Sequence, residues 1–533
     1  MDDTFSQLKY TLLLPVVGFI VYKVVLAIHN FKLYAKTFDA CPGETDFHWL
    51  YGNMHKYPGP NEKGIQYDID SMEKRPRFIR AWVGPFRGIL ILYHPDLVRK
   101  VLKSSAPKPR SRFMKSVYDM ALGWLGSGLL LANGSQWARS RRLLTPAFHF
   151  DILRPYVTVK NQAADVLLAK MKTHSEEKKP FETFYNVSVC LFDVLLQCSF
   201  AHESNCQKTG QNDPYLQNVN ELVELWAERS LKPWLHFEWL FRLTSQGRRW
   251  YKLCDQVHAV SEDLIDKRRK ALEAKKAAGD TDNSEDESPG KKRLMCFVDV
   301  LLSARDEDGV GMTPLEIRNE ADTFLFEGYD TTTSALSWTL YSLARWPEHQ
   351  TLVQEEVDAL LQGRSSDYIT WDDLTQLPYT TACIKEAIRN YSTVPFIERE
   401  TTEPLNLDGH IIPAGTFIAI QIWCLHHNPT VWDRPHDYLP ERFFGDNALN
   451  MDPFQYVPFS AGSRNCIGQN FAMNELKVMV ARIFHRFTLA LDPNHEILRA
   501  PLATFKTEKD IKLLITPRKG LQVLVDTVGQ QNH

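Results

Sequence analysis

The chain has 533 residues, 44% hydrophobic and 11% aromatic, enough to bury a sizeable core. A net charge of −3, with no long basic block interleaved with aromatics, argues against nucleic-acid binding. The nine cysteines are odd in number, scattered and without a C-x-x-C pair, which suggests neither a disulfide framework nor a zinc site and fits reducing cytosol.

The first element is Tyr10 to Ile28, YTLLLPVVGFIVYKVVLAI. As a helix rising roughly 1.5 Å per residue it spans about 28 Å, close to a bilayer core of about 30 Å. Lys23 lies toward its end, where the stem can snorkel to the interface. No small-x-small cleavage pattern comes after it, so residues 10–28 read as an uncleaved membrane anchor. Lys32 and Lys36 lie just beyond, a weak positive-inside bias that puts the large domain in the cytosol. Residues 42–525 then read as one globular unit without internal repeats.

Phe78 to Trp82 and Gly88 to Tyr93 flank Gly84-Pro85 and predict a β-hairpin. Most of the chain beyond this hairpin has helical periodicity. Trp137 and Arg141 are spaced i,i+4 on one helix face, with Arg139 and Arg142 beside them as a candidate basic docking face. Ala278 to Lys292 is polar, charged and nearly free of large apolar residues, and predicts an exposed loop.

Thr313-Pro-Leu-Glu316 is a capping box that opens a long helix running to about Leu343. Within it Glu327, Asp330 and Thr331 are spaced i, i+3, i+4, on or near one face. Gly328 costs that helix about 1 kcal/mol relative to alanine, which predicts that something approaches closely there. The apolar neighbours Phe324, Leu325 and Phe326 argue against a solvated acidic surface.

Further on, Glu386 and Arg389 form an i,i+3 pair that alone would pass for a surface salt bridge. Val394 to Arg399 predicts a strand. The adjacent His426 and His427, read on a strand, would face opposite ways and so make no metal pair. Three N-x-[ST] sequons, at Asn133, Asn186 and Asn390, carry no meaning in a cytosolic domain. Last comes Phe459-Ser-Ala-Gly462-Ser-Arg464-Asn-Cys466-Ile-Gly468, ahead of a helix predicted over Gln469 to Val480. It presents one soft thiolate to a metal at a helix start, where backbone N–H groups favour negative sulfur. Gly462 and Gly468 would let a flat ligand close to the backbone, and Arg464 could neutralise an anionic group at its edge.

The pattern F-x-x-G-x-R-x-C-x-G resembles the haem-binding loop of the cytochrome P450 superfamily. Phe326-Glu327-Gly328-Tyr329-Asp330-Thr331-Thr332 resembles its oxygen-activating helix, Glu386-x-x-Arg389 its E-x-x-R pair, and Pro440-Glu441-Arg442-Phe443 its P-E-R-F element. Glu327-Gly328 and His426-His427-Asn428-Pro429 resemble the family-four branch of fatty-acid hydroxylases, although Tyr329 stands where a histidine is common there. Ser392 and Thr393 also stand where prolines are usual.

The resemblance implies a mainly α fold with a small β-rich part and haem b between the long helix and the Cys466 loop. Cys466 would be the iron ligand. Trp137, Arg141, Arg399 and Arg464 would meet the anionic edge of the haem. Thr331 and Asp330 would manage protons, Glu386, Arg389 and Arg442 would form a structural network, and Glu327 would esterify a haem methyl. The implied reaction inserts one oxygen atom of O2 into a C–H bond of a lipophilic substrate, as ω-hydroxylation of a fatty acid, at the endoplasmic reticulum membrane. The sequence holds no nucleotide- or flavin-binding motif, so electrons would come from a separate membrane-bound NADPH–cytochrome P450 reductase. Alternatives are a haem-thiolate isomerase or peroxygenase, against which Asp330 with Thr331 argues, a monooxygenase of another lipid or xenobiotic, and a haem-based gas sensor.

Overall fold

The computed structural model describes residues 2–111, 114–204, 206–209, 213–277 and 296–518. The expected polar loop over 278–292 lies outside the described residues, as does the end of the expected domain beyond 518.

The first helix, α1 (Asp2–Asp39), is longer than the predicted anchor. Its stretch from Pro15 to Asp39 is long and apolar enough to cross a membrane, and the apolar window within it is unburied. Its C-terminal end is different: Phe31, Tyr34 and Phe38 pack around Trp82, with Phe38 and Trp82 ring centroids 5.0 Å apart. Trp82 Nε1 also donates to Asp39 Oδ1 at 3.0 Å.

After α2 (Glu62–Lys74) the chain forms the predicted hairpin from β1 (Phe78–Val83) and β2 (Arg87–Leu92). Their antiparallel register runs from Phe78 opposite Leu92 to Val83 opposite Arg87. Gly84 turns the tip with φ +66°, a left-handed conformation that costs glycine little. Next come α3 (Pro95–Lys103), α4 (Gly134–Leu144), α5 (Phe150–Glu176) and α6 (Thr183–Phe200). Helix α6 is apolar enough to span a bilayer by composition, but it is largely buried as a core helix.

The long helix α7 (Pro314–Arg345) begins at the predicted capping box: Glu316 N donates to Thr313 Oγ1, and Thr313 N to Glu316 Oε2 at 2.7 Å. It runs through the core against α6, α8 (Pro378–Asn390) and α10 (Gln469–Arg486). Strands β3 (Phe396–Glu400) and β4 (Phe417–Gln421) complete a four-stranded sheet in the order β1-β2-β4-β3, with β2 and β4 parallel. A small hairpin of β5 (Arg499–Pro501) and β6 (Phe505–Thr507) reaches α7 from the C-terminal end.

Two elements differ from the sequence reading. His426 and His427 end a short helix, α9 (Ile422–His427), rather than lying on a strand, because β4 passes into helix at Gln421 without a turn residue to mark the change. Helix α10 runs beyond Val480 because Ala481, Ile483 and Phe484 continue its buried face. The buried Arg482 there is paired with Asp165 and Asp367 at 2.6 and 2.8 Å.

Candidate active site

The Cys466 loop is assembled by backbone hydrogen bonds: Cys466 N donates to Phe459 O at 2.8 Å and Asn465 N to Gly462 O at 3.2 Å. Gly462 has φ +73°, and a Cβ there would lie 2.0 Å from Leu102 O of α3. This glycine therefore admits a neighbouring helix end and not, as its position in the sequence suggests, a flat ligand. At Gly468 a Cβ would make only ordinary contacts, with Phe148 and the Cys466 sulfur. Eight of the nine cysteines are buried; Cys466 is the exposed one, and it lines a cavity of about 550 Å³. Burial pushes its thiol up to about 11, and the Glu327 carboxylate adds to this, while the Gly468 N–H and Arg141 act in the opposite sense.

Glu327, Gly328, Thr331 and Thr332 of α7 line the same cavity. Thr331 Oγ1 donates to Glu327 O at 2.7 Å, one turn back. The Glu327 carboxyl makes no hydrogen bond to a described residue, and burial pushes it up to about 7 against the pull of Lys108. Gly328 is explained by packing: a Cβ there would lie 2.6 Å from Leu195 Cδ1 of α6. Asp330 turns away from Glu327 and Thr331. Successive helical residues diverge by about 100°, and its carboxylate meets the C-terminal hairpin instead. It accepts from Thr504 Oγ1 at 2.8 Å and pairs with Lys506 Nζ at 2.7 Å.

The cavity edge gathers positive charge. Arg464 stacks on Trp137, 4.4 Å from the ring centroid, and donates to Ala132 O and Asn133 Oδ1. Its Nε is buried and has no hydrogen-bond partner among the described residues. Arg399 is buried beside it and donates to Glu398 O. Lys108 is buried too, 4.1 Å from the Tyr118 ring centroid. Burial and its neighbours Arg399 and Arg464 hold the Lys108 ammonium well below the usual lysine range. Arg141 also lines the cavity, but its terminal nitrogens go to Asn465 O and Oδ1, both at 2.8 Å, so it braces the Cys466 loop. Lys108 escaped the sequence reading; the only local signal was its place between Pro107 and Pro109. Three crowded cations with an unpartnered guanidinium nitrogen fit a flat ligand whose edge carries carboxylates, and the cysteine fits its metal. A haem satisfies both demands.

Arg139 is neutralised by Asp306 at 2.7 Å and Glu316 at 3.1 Å, and Arg142 pairs with Glu307 at 2.6 Å, which weakens the basic-face reading. Glu386 and Arg389 are fully buried and paired at 2.8 Å, not a surface bridge. Arg389 also donates to His426 O, Pro435 O and Asp437 O, and Arg442 approaches Glu386 at 3.4 Å. His426 bonds Ser392 Oγ through Nδ1 and accepts from Val457 N through Nε2, while His427 Nδ1 bonds Trp423 O. His426 thus ties the segment after α8 to the approach of the Cys466 loop, while His427 bonds within its own helix. Asn186 and Asn390 are buried, so those two sequons present no glycan site on the folded surface.

A mainly helical body with one cysteine sulfur facing a threonine-bearing helix across a cation-rimmed cavity defines a haem-thiolate protein. Comparison with known proteins agrees: the cytochrome P450 family model matches residues 42–519, and the chain belongs to this family. It is accordingly a monooxygenase that carries haem b and acts with O2 on a lipophilic substrate. It is similar to the ultra-long-chain fatty acid omega-hydroxylase of Homo sapiens, 41% identical over 88% of this chain and 87% of the relative. Leukotriene-B4 omega-hydroxylase 3 of Mus musculus is 38% identical over 95% of both chains. Cytochrome P450 4B1 of Rattus norvegicus is 35% identical over 97% of this chain and 98% of its own. Among solved structures, the haem domain of cytochrome P450DA superposes with a TM-score of 0.75 at 22% identity, covering 90% of this chain and 98% of that one, and supports the fold.

Proposed function

We propose that the protein hydroxylates long-chain fatty acids at or near the methyl end. Its relatives include an ultra-long-chain fatty acid and a leukotriene-B4 omega-hydroxylase. The observation that carries the reading is the pairing of Cys466 with Glu327 and Thr331 on the walls of one predominantly apolar cavity. Bound haem supplies the oxidation, because a thiolate ligand pushes electron density to the iron and favours O–O cleavage.

The chain's own residues do the rest. Cys466 gives the thiolate. Arg464, Arg399, Trp137 and Lys108 would hold the haem propionates, with Arg141 bracing the loop. Thr331 keeps a hydroxyl at the reacting face, and Asp330 exchanges protons through Thr504. Glu327, which lines the cavity and has no hydrogen-bond partner among the described residues, would esterify a haem methyl, the C–H bond that breaks being oxidised by two electrons in O2-dependent turnover with loss of its hydrogen as a proton. A tethered ring moves less, so a terminal methyl can be presented ahead of weaker internal C–H bonds. Positioning errors of about 1 Å cost on the order of a hundredfold in rate.

Residues 10–28 anchor the chain as a single pass in the endoplasmic reticulum, and residues 42–525 form the catalytic unit in the cytosol. Electrons arrive from a membrane-bound NADPH–cytochrome P450 reductase. The test is turnover with purified reductase over a lipid panel, with product regiochemistry, and then acidic organic extraction of the haem. Terminal alcohols from fatty acids and haem retained by the protein are expected. Conversion of a steroid or small aromatic in place of fatty acids would overturn the substrate, and complete extraction of haem after turnover would overturn the ester.

A further inference from the structure

The buried stripe of α2 carries a charge for which the fold supplies no counter-charge. Ile65 and Met72 are buried on this helix. Asp68 lies three residues after the first and four before the second, on the same face, where an apolar side chain is expected. It lines the cavity. Gln421 Nε2, at the end of β4, donates to its Oδ2 at 3.0 Å. Among the described residues its Oδ1 has no hydrogen-bond partner and its carboxylate no ion pair. Tyr57, Tyr67 and Tyr93 share this part of the wall, and the Tyr57 and Tyr67 rings meet edge to face with centroids 5.9 Å apart. Burial raises all three phenols and the Asp68 carboxylate adds to each, so the three rings lie close to it.

We infer that the Asp68 pocket binds the ammonium group of a long-chain aliphatic amine, and that such amines are a second substrate class of this enzyme. This goes beyond the fatty-acid reading and needs only the monooxygenase chemistry of the family.

The wall selects a cation. A carboxylate beside aromatic rings offers an ammonium both a counter-charge and ring faces. Gln421 turns its amide nitrogen to Asp68, which leaves its oxygen as a second acceptor for the three donors of an ammonium. A fatty-acid head group placed here would meet a like charge. The cations of this region are committed elsewhere: Arg75 pairs with Glu44 at 3.3 Å, and Arg80 is engaged by Cys41 O at 3.0 Å, Glu44 O at 3.1 Å and Asp39 at 3.4 Å. An acid kept without a counter-charge costs stability, and a cost of that kind on a cavity wall points to a binding group.

The pocket also lies away from the reacting end. Gln421 stands opposite Phe396, three residues before Arg399, which is about 10 Å along the strand at roughly 3.4 Å per residue. Phe396, Ile397 and Ala419 make the wall between them apolar. An amine held by its head therefore sends its tail toward Cys466. One oxygen atom of O2 then enters a C–H bond near the methyl end, and the other leaves as water with the two electrons and two protons of ordinary turnover.

The test compares dodecylamine with dodecanol, by optical titration of the full-length holoenzyme and by product regiochemistry. Near pH 8 wild type should bind the amine about tenfold or more tightly than the alcohol, the scale of a charge-assisted hydrogen bond. The spectrum should show the high-spin shift of a nitrogen kept off the iron. Between about pH 6 and pH 8 the amine stays protonated, while the Asp68 carboxyl, raised by burial to about 7, becomes ionised. Tyr57, Tyr67, Tyr93 and Cys424, the other titratable groups around it, are all raised by burial and keep their protons, and Glu44, which acts on Tyr67, is paired with Arg75 and Lys56. The preference for the amine should therefore grow with pH in wild type. Asp68→Asn should abolish the preference and its pH dependence, and Asp68→Glu should keep part of both and serves if the asparagine variant does not fold. Equal binding of amine and alcohol by wild type, a nitrogen-ligated spectrum, oxidation at the carbon next to nitrogen, or an unchanged preference in Asp68→Asn would overturn the assignment. Lauric acid in the same assay separates the two readings: its oxidation without amine binding removes this proposal and leaves the fatty-acid reading standing.

Discussion

Lys506 Nζ lies 2.7 Å from Asp330 Oδ1, so a C-terminal strand holds the acid that precedes the cavity threonine. Asp330 is buried, Lys506 is one-fifth exposed, and Thr504 Oγ1 bonds the second carboxylate oxygen at 2.8 Å. An ion pair thereby links the partly exposed Lys506 to the helix that carries Thr331.

Lys506→Met is expected to slow product formation several-fold, because Asp330 loses its ion pair but keeps Thr504. Asp330→Asn should cost more, toward the 10²-fold typical of a lost acid–base group. Thr331→Ala should keep consuming NADPH while releasing more peroxide per product. The measurement is product, peroxide and NADPH in one assay, with the ferrous–CO spectrum as a folding control. Unchanged coupling in all three variants would remove this path.

Cys466→Ala should abolish turnover and the red-shifted ferrous–CO Soret band of thiolate ligation. Its eight fellow cysteines are buried, and none lies in the Cys466 loop. An imidazole-type spectrum in folded wild type would refute the ligand assignment.

Glu386→Ala should destabilise the fold by about 3–5 kcal/mol, the range for stranding one partner of a buried ion pair. Arg389 would be left uncompensated, and Leu439 N, which donates to Glu386 Oε1 at 2.8 Å, would lose its acceptor. A depressed Tm with more haem-free protein is expected. A variant as stable as wild type would place the network outside the stability-determining core.

Asp68 gives a pH signature. Burial raises its carboxyl to about 7, against the pull of Gln421. The folded state then holds this proton more tightly than the unfolded chain, whose aspartate titrates near 4, so stability falls as pH rises from about 4 through 7. Asp68→Asn removes that loss and should gain on the order of 1–3 kcal/mol over wild type between pH 5 and pH 8. Denaturation at a series of pH values reads the difference; parallel curves for the two proteins would contradict it.

The sequence was most informative where chemistry and spacing coincide locally. The capping box at Thr313 and Glu316 and the Cys466 loop each lie within a few residues, and a short-range pattern suffices to find them. Lys108, Thr504 and Lys506 were invisible because folding alone brings them to the site, from segments far from Glu327 and Asp330 in the chain. Glycines misled in an instructive way. Gly328 marked a close approach, which Leu195 makes, but Gly462 looked like room for a ligand, and that space is taken by the Leu102 carbonyl. A glycine records that something comes close, and its identity depends on the packing. The two histidines failed for another reason: nothing at Gln421 announces that strand has become helix.

Helix α1 passes from its bare apolar stretch to its clasp on Trp82 without a break, and Asp39 locks the end through the indole nitrogen. Mechanically this makes it a lever rather than a leash. A bilayer that gripped the apolar stretch would also set the heading of the β-sheet, and with it the direction in which the hairpin tip points. Changes in membrane thickness or curvature that tilt the helix would swing the whole catalytic body through the same angle, whereas a loosely linked anchor would absorb them.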